Sequence, residues 1–177
     1  MNGFEIEILK YINSNLMHPV ASEFFKFVSF TGNKGWIWIV IALVLVAIPK
    51  TRKAGVCASI ALILCLVINN ICIKPLAGRM RPYDFEPTLN IIIPLLKDGS
   101  FPSGHTCASF AAVFAISKYY KKWSLPLYAY AVFMALSRIY LCVHYPTDVI
   151  AGLVLGIGFG FAAYMLNERI WSVRNQM

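Results

Sequence analysis

Three short polar clusters interrupt an otherwise apolar chain: Lys74-x6-Arg81-Pro82, Pro102-Ser103-Gly104-His105 and Ser137-Arg138-x5-His144-x3-Asp148. Together they hold three cations, two histidines, one carboxylate and a glycine-marked helix start. That inventory suits gripping a phosphate and attacking it without a metal, because fixed cations can stabilise phosphoryl charge. Polar groups so close to lipid are costly to keep, which argues for use rather than decoration.

The middle cluster precedes an apolar run, Thr106–Ile116. A helix start presents free backbone N–H groups and a partial positive charge. Gly104 lets an anion approach that backbone closely. Ser103 can cap the helix and also donate to a phosphate oxygen, and for Ser103 alone an ordinary N-cap is the favoured reading. His105 stands where an anion would sit and is placed to protonate a leaving group.

In the third cluster, His144 and Asp148 are spaced to face each other across one helical turn. Pro146 ends one helix but suits the first turn of the next, so His144 is expected just outside that helix and Asp148 within it. A carboxylate on one ring nitrogen fixes the tautomer and leaves the other nitrogen nucleophilic. A structural His–Asp bond is the plain alternative. Arg138, near the outer end of an apolar helix, tips the balance toward chemistry, although snorkelling to headgroups would also place it there.

The first cluster supplies Lys74, Arg79 and Arg81 beyond the end of an apolar span. Lys74 and Arg81 are about two helical turns apart and can point into one cavity, with Pro75 and Pro82 disturbing a regular helix. Arg suits bidentate grip on phosphate oxygens and Lys a point charge; binding anionic headgroups is the alternative. Arg79 has no assigned role. No His-x-x-x-His or Glu-x-x-His pattern marks a metal site. His18, without polar companions, reads as a turn residue. The five cysteines (Cys57, Cys65, Cys72, Cys107, Cys142) lie in apolar segments and read as small core residues.

The elements that must position these groups are membrane helices. The chain has 177 residues, 59% hydrophobic and only 14% charged, against about 25% charged in a soluble domain. Mean hydropathy is +0.66. The expected fold is all-α, an integral membrane bundle forming one domain over 1–177. Four runs approach the 20 or so residues a span requires: Ala54–Ile73, Pro102–Tyr119, Trp123–Val143 and Thr147–Leu166. Trp36–Ile48, widened to Asn33–Lys53, makes a fifth span, so the catalytic core covers 34–171. Residues 1–33 read as an interfacial segment. Phe4, Ile8 and Ile12 recur on one helical face, and His18-Pro19 then breaks the helix. The aromatic piece Phe24–Phe30 lies on the surface or dips in. No cleavable signal or lipidation motif is visible.

The net charge of +8 reflects topology rather than nucleic acid binding. Lys50, Arg52, Lys53, Lys118, Lys121, Lys122, Arg169 and Arg174 fall on one side of five spans, with Glu168 their one anion. The positive-inside rule makes that side cytoplasmic. All three clusters then fall on the extracytoplasmic face. Gly152, Gly156 and Gly160 form overlapping G-x-x-x-G units that allow close helix approach, within the bundle or between copies in a homodimer.

These residues resemble the type 2 phosphatidic acid phosphatase superfamily, which includes vanadium haloperoxidases and glucose-6-phosphatase. The family pattern K-x6-R-P, P-S-G-H, S-R-x5-H-x3-D is matched in full and in order over residues 74–148. The resemblance implies metal-independent hydrolysis with no cofactor. His144 would be the nucleophile, forming a phosphohistidine, and Asp148 would orient it. His105 would protonate the leaving oxygen. Lys74, Arg81 and Arg138 would hold the phosphate, helped by Ser103 and the Gly104 amide. Membrane members often have six spans, and this chain departs by starting with the amphipathic piece.

The resemblance also implies a membrane lipid phosphate or diphosphate as substrate, in the plasma membrane. Small bacterial members include undecaprenyl diphosphate, phosphatidylglycerophosphate and lipid A phosphatases. The compact chain looks most like the first; phosphatidylglycerophosphate or phosphatidic acid is the alternative substrate. A catalytically silent lipid-binding or transport protein is the rival from another class. The run Ile91-Ile92-Ile93-Pro94-Leu95-Leu96 is expected to border lateral access for the lipid tail.

Overall fold

Apolar runs set the helices of this chain, and glycines and prolines end them. A computed structural model describes residues 3–174. Its helices are α1 (Gly3–Tyr11), α2 (Pro19–Thr31), α3 (Trp36–Ala47), α4 (Arg52–Leu64), α5 (Lys74–Ala77), α6 (Pro82–Phe85), α7 (Gly104–Ser117), α8 (Ser124–Tyr140) and α9 (Pro146–Arg174). No strand occurs among the described residues. The all-helical expectation holds.

A π-helical stretch, Cys65–Ile73, carries α4 into α5 without a break. The wider turn runs up to Pro75, which lacks an N–H and would crowd a regular α-helical turn. Gly78 then takes φ +52° and stops the helix, a conformation that costs glycine little. By length and apolar composition, Arg52–Phe85 and Pro146–Val173 can each cross a bilayer. The pair Pro19–Thr31 and Asn33–Ala47, bent by 44°, makes a third if it is one span. α7 and α8 are shorter, at 14 and 17 residues.

α7 is the central helix. Its apolar residues run all round the axis, so it must be surrounded. Nine of its 14 residues are buried, most of them small, among α4, α8 and α9. The small stripe of α9 lies directly on it. A Cβ on Gly156 would stand 2.5 Å from the Cys107 carbonyl oxygen, and one on Gly160 would stand 2.8 Å from Phe114 Cβ. Gly152 similarly meets the Ser103 carbonyl at 2.6 Å. These glycines thus serve packing within the bundle, with α7 of the same chain against their face.

The N-terminal region forms two helices, α1 and α2, divided at His18 as the His18-Pro19 break implies. α2 packs on α8, with Phe24 edge-on to Phe133 and Phe25 stacked at 4.5 Å on Tyr140. Ser22 Oγ lies 3.1 Å from Tyr140 Oη, and His18 caps α2 by accepting from the Val20 N–H. In α1 the inward face is Glu5, Ile6 and Leu9 rather than the expected apolar stripe, and Phe4 is exposed. The cause is local. Ile6 and Leu9 pack with Leu89, Cys142 and Tyr145, while Glu5 meets charged partners described below.

The basic loops and the C-terminal end of α9 meet at one end of the bundle. Lys53 Nζ lies 2.8 Å from Glu168 Oε2, Tyr119 Oη donates to Glu168 Oε1, and Tyr120 Oη donates to the Lys50 carbonyl. The polar clusters lie at the opposite ends of α7 and α9.

The α7–α9 contact generates a paired test. Gly156→Ala is expected to cost about 1–3 kcal/mol by overpacking against the Cys107 carbonyl. Gly158, with nothing within 4 Å of its added Cβ, should tolerate Ala within about 0.5 kcal/mol. Thermal unfolding of both variants in detergent compares them; equal effects would refute the packing.

Candidate active site

The clusters come from separate helices and loops, yet most converge on one cavity of about 1070 Å³. Lys74, Arg81, Gly104, His105, Arg138 and His144 all line it. Asp148 stands behind His144, fully buried.

His144 lies in the α8–α9 turn and Asp148 in the first turn of α9, as Pro146 predicts. His144 Nδ1 is 3.4 Å from Asp148 Oδ2, which leaves Nε2 on the other side, 3.4 Å from Arg81 Nη1. The carboxylate is held from all sides. Oδ2 accepts from Ser100 Oγ at 2.5 Å and from the Tyr145 N–H at 3.0 Å, and Oδ1 accepts from Arg79 Nη1 at 2.6 Å. Burial, and then the charges of Arg138, Arg81 and Lys74, push the His144 imidazole well below its ordinary value. It is thereby kept neutral, as a nucleophile requires.

Two of the three cations are partnered. Arg81 donates through Nη1 to the Val143 carbonyl at 2.7 Å and through Nε to the Asp98 carbonyl at 2.8 Å. Lys74 Nζ lies 2.6 Å from Asp98 Oδ2. Arg138 is different. It is fully buried, and Nη1 donates to Ser29 Oγ, but Nε and Nη2 have no partner among the described residues. A buried guanidinium with two idle donors is costly unless an anion completes it.

His105, one residue into α7, is 3.2 Å through Nε2 from Asn33 Oδ1, on the turn between α2 and α3. Gly32 permits that approach, because a Cβ there would lie 2.8 Å from His105 Cδ2 and closer still to Met134. Gly104 opens α7 and faces Asn70, whose Oδ1 would lie 3.0 Å from an added Cβ. Ser103 behaves otherwise than expected. It sits at the N-cap position without a side-chain cap bond. Its Oγ accepts from Thr106 Oγ1, it is fully buried, and it does not line the cavity.

Several residues of the site escape motif reading. Arg79 donates to Asp148, to Glu5 Oε2 at 2.7 Å and to Thr147 Oγ1, and stacks 4.0 Å over the Tyr145 ring. Glu5 in turn accepts from the Thr147 N–H and hydroxyl at the start of α9. Ser29, Asn33, Asp98 and Ser100 also join the network. Asn70 carried a signal, as one of two adjacent asparagines inside an apolar run; Ser29 and Ser100 carry none beyond their residue type. Among the described residues, no three of His, Cys, Asp and Glu converge as a metal-ligand set. The loop run 91–96 is partly internal: Ile91, Ile92 and Ile93 pack near Tyr83, Tyr140 and Val143. Ile92, Ile93, Pro94 and Leu96 line the cavity, whereas the exposed Leu95 does not.

Arg79 acts through Asp148, and its removal should show that. Arg79→Ala is expected to lower kcat on the order of 100-fold with KM little changed. Without Arg79 the Asp148 carboxylate turns its field on His144, raising that imidazole's pKa, so the acid limb of the pH–rate profile should move to higher pH. Arg79→Lys should restore part of both. Loss of kcat with an unmoved limb would leave Arg79 a structural residue only.

A family model described as the PAP2 superfamily matches residues 53–172. An undecaprenyl-diphosphatase of Sulfolobus acidocaldarius is 30% identical over 167 residues, covering 94% of this chain and 80% of that protein. A lipid A 4'-phosphatase of Bacteroides thetaiotaomicron is 29% identical over 189 residues, covering 94% and 84%. The crystal structure of Aquifex aeolicus LpxE has a TM-score of 0.80 to this fold at 28% identity, over 92% of this chain and 95% of that one. The family match covers well over half of the chain, and the three clusters sit inside it around one cavity: the chain belongs to the PAP2 superfamily.

Proposed function

We propose that the protein hydrolyses the diphosphate of a membrane lipid at the extracytoplasmic face through a phosphohistidine at His144, with undecaprenyl diphosphate as substrate. One observation carries the phosphate reading: Arg138 is buried in the cavity wall with Nε and Nη2 idle. A phosphoryl group between Lys74, Arg81 and Arg138 completes those donors and matches their charge.

The steps follow from the side chains. His144 Nε2 attacks phosphorus, and the P–N bond forms as the bond to the leaving oxygen breaks. His105 gives its proton to that oxygen. Water then attacks the phosphohistidine: the new P–O bond forms as the P–N bond breaks, a water proton passes to His105, and orthophosphate leaves a regenerated His144. Asp148 holds Nδ1 throughout and offsets the imidazolium charge. The Gly104 amide, at the start of α7, faces a phosphate oxygen.

The lipid reading rests on the cavity's other end. It continues between α3 and α4 along Ile39, Ala42, Leu43, Leu62, Ile63 and Leu66. Several of these are exposed on the bundle's side, so a tail can pass from the site into the membrane. The diphosphate reading rests on the relative from Sulfolobus acidocaldarius and on Lys34. That residue lines the cavity beside Asn33, next to the acid, where a second phosphate in the leaving group would lie. The lipid A 4'-phosphatase relative favours a monophosphate as the second reading. Five crossings, with α7 and α8 as short spans, put the eight cations at the far end inside and the site outside.

Purified protein assayed with a panel of lipid phosphates in EDTA tests the reaction. Turnover is expected to persist, to be blocked by orthovanadate and to vanish in His144→Ala. The acid limb of kcat/KM should fall below about pH 6.5, since a lowered His144 pKa means the proton is lost at lower pH. A limb above neutrality, or strict metal dependence, would refute the mechanism. A silent lipid-binding protein would release no phosphate at all. A higher kcat/KM for phosphatidylglycerophosphate or phosphatidic acid than for a polyprenyl diphosphate would refute the substrate.

The groove has its own test. Replacing Ile39 and Leu66 with Trp should raise KM about 10-fold or more for a long-chain lipid by blocking burial of several methylenes. A short soluble analogue should be spared. Equal loss on both substrates would place the tail elsewhere.

A further inference from the structure

Asp98 lines the cavity and touches two of its cations, yet no step above uses it. It lies in the irregular segment between α6 and α7. Its two carboxylate oxygens go to two different cations: Oδ2 lies 2.6 Å from Lys74 Nζ and Oδ1 lies 2.8 Å from Arg81 Nη2. The cations' side chains are 8% and 2% exposed, whereas that of Asp98 is 55% exposed. The carboxylate therefore sits at the mouth, on the inner cations, with solvent behind it.

We propose that Asp98 is an internal counter-anion, displaced from Lys74 and Arg81 by the substrate's phosphoryl group and returning to expel orthophosphate. The inference rests on the reading of the cavity as a phosphate site. A carboxylate has two oxygens and satisfies two cations, leaving Arg138 idle. A phosphoryl group has three non-bridging oxygens and reaches all three. The exchange requires little movement, because the main chain is anchored independently of the carboxylate. The Asp98 carbonyl accepts from Arg81 Nε, the Gly99 carbonyl accepts from Arg81 Nη2 at 3.3 Å, and the Ser100 N–H donates to the Arg79 carbonyl. Rotation of one exposed side chain then opens or closes the site.

The competitor is present at every working pH. Burial would raise the Asp98 carboxyl, but the hydrogen bonds and charges of Lys74 and Arg81 outweigh it and hold it at about 2. The consequence is selectivity. A free anion must displace Asp98 on charge alone, whereas a lipid adds the binding of its tail in the α3–α4 groove. Orthophosphate, once cut from the tail, loses that advantage and is driven out.

The test begins with binding, which needs no turnover. Calorimetric titration with orthophosphate should show Asp98→Asn binding at least about 10-fold more tightly than wild type, the effect of removing one charged hydrogen-bonding competitor. Equal or weaker binding overturns the proposal. In lipid hydrolysis, kcat and KM should both fall in Asp98→Asn, because product leaves more slowly. A fall in kcat/KM with unchanged phosphate affinity would mean that Asp98 only orients its cations, and overturns it too. A third measurement uses wild-type protein and so does not depend on how the variant folds. Carbodiimide coupling of Asp98 to an amine, read by mass spectrometry, should be accelerated by orthovanadate; protection by orthovanadate overturns the proposal. If wild type binds phosphate as expected but hydrolyses no lipid phosphate, the phosphatase reading fails while the counter-anion stands.

Discussion

Three cations held inside an apolar helical bundle are the constraint on which the rest of the structure depends. Lys74, Arg81 and Arg138 are almost wholly buried, and a buried charge is tolerated only with partners. The fold supplies those partners unevenly. Arg81 is tied by main-chain carbonyls and Asp98, Lys74 by Asp98, and Arg138 by Ser29 alone. That unevenness fixes Arg81 as the most rigid of the three and leaves Arg138 the most in need of an anion. The same economy runs behind the nucleophile. Arg79 shares its charge between Asp148 and Glu5, so the carboxylate beside His144 is balanced within the protein itself.

The helices are arranged to make that burial affordable in steric terms. α7 is thin because its buried residues are mostly alanine, serine, cysteine and threonine, and α9 meets it glycine to backbone. Close approach at that seam brings the starts of α7 and α9 together, and the Ser103 N–H donates to the Asp148 carbonyl at 3.0 Å. The helix that carries His105 is thereby fastened to the one that carries Asp148. A wider seam would separate His105 from Asp148 and His144.

How much of this was legible in the sequence depended on the kind of signal. Apolar runs located α3, α4, α8 and α9, and Pro146 placed His144 outside a helix and Asp148 inside one. The clusters' spacing identified six residues that do line one cavity. The rest was hidden because the contacts are long-range. Glu5 reads as a surface charge of an amphipathic helix until Arg79 and Thr147 are brought to it from more than 70 residues away. Ser29 sits in an aromatic piece whose depth could not be decided from composition, and only packing of α2 on α8 delivers it to Arg138. Ser103 misled for the opposite reason: its position at a helix start advertises a donor, but Thr106 turns the hydroxyl inward.

The α2–α3 elbow joins the two halves of the site. Gly32 seats the elbow against His105 and Met134, Asn33 meets the His105 ring, and α3 continues as one wall of the cavity. Trp38 Nε1 donates to Ser109 Oγ at 2.9 Å, which fastens that wall to the helix that carries His105. The apolar wall along α3 and the His105 side of the cavity are thus joined at one corner of the fold. On the proposed reading, a lipid seated along α3 would fix where the phosphate of its leaving group lies relative to His105. Binding energy gathered from methylenes far from the phosphorus is thereby available to orient the bond that breaks, which raises the rate only if the corner does not flex. The bend in α2–α3 is in this sense a part of the chemistry as much as of the fold.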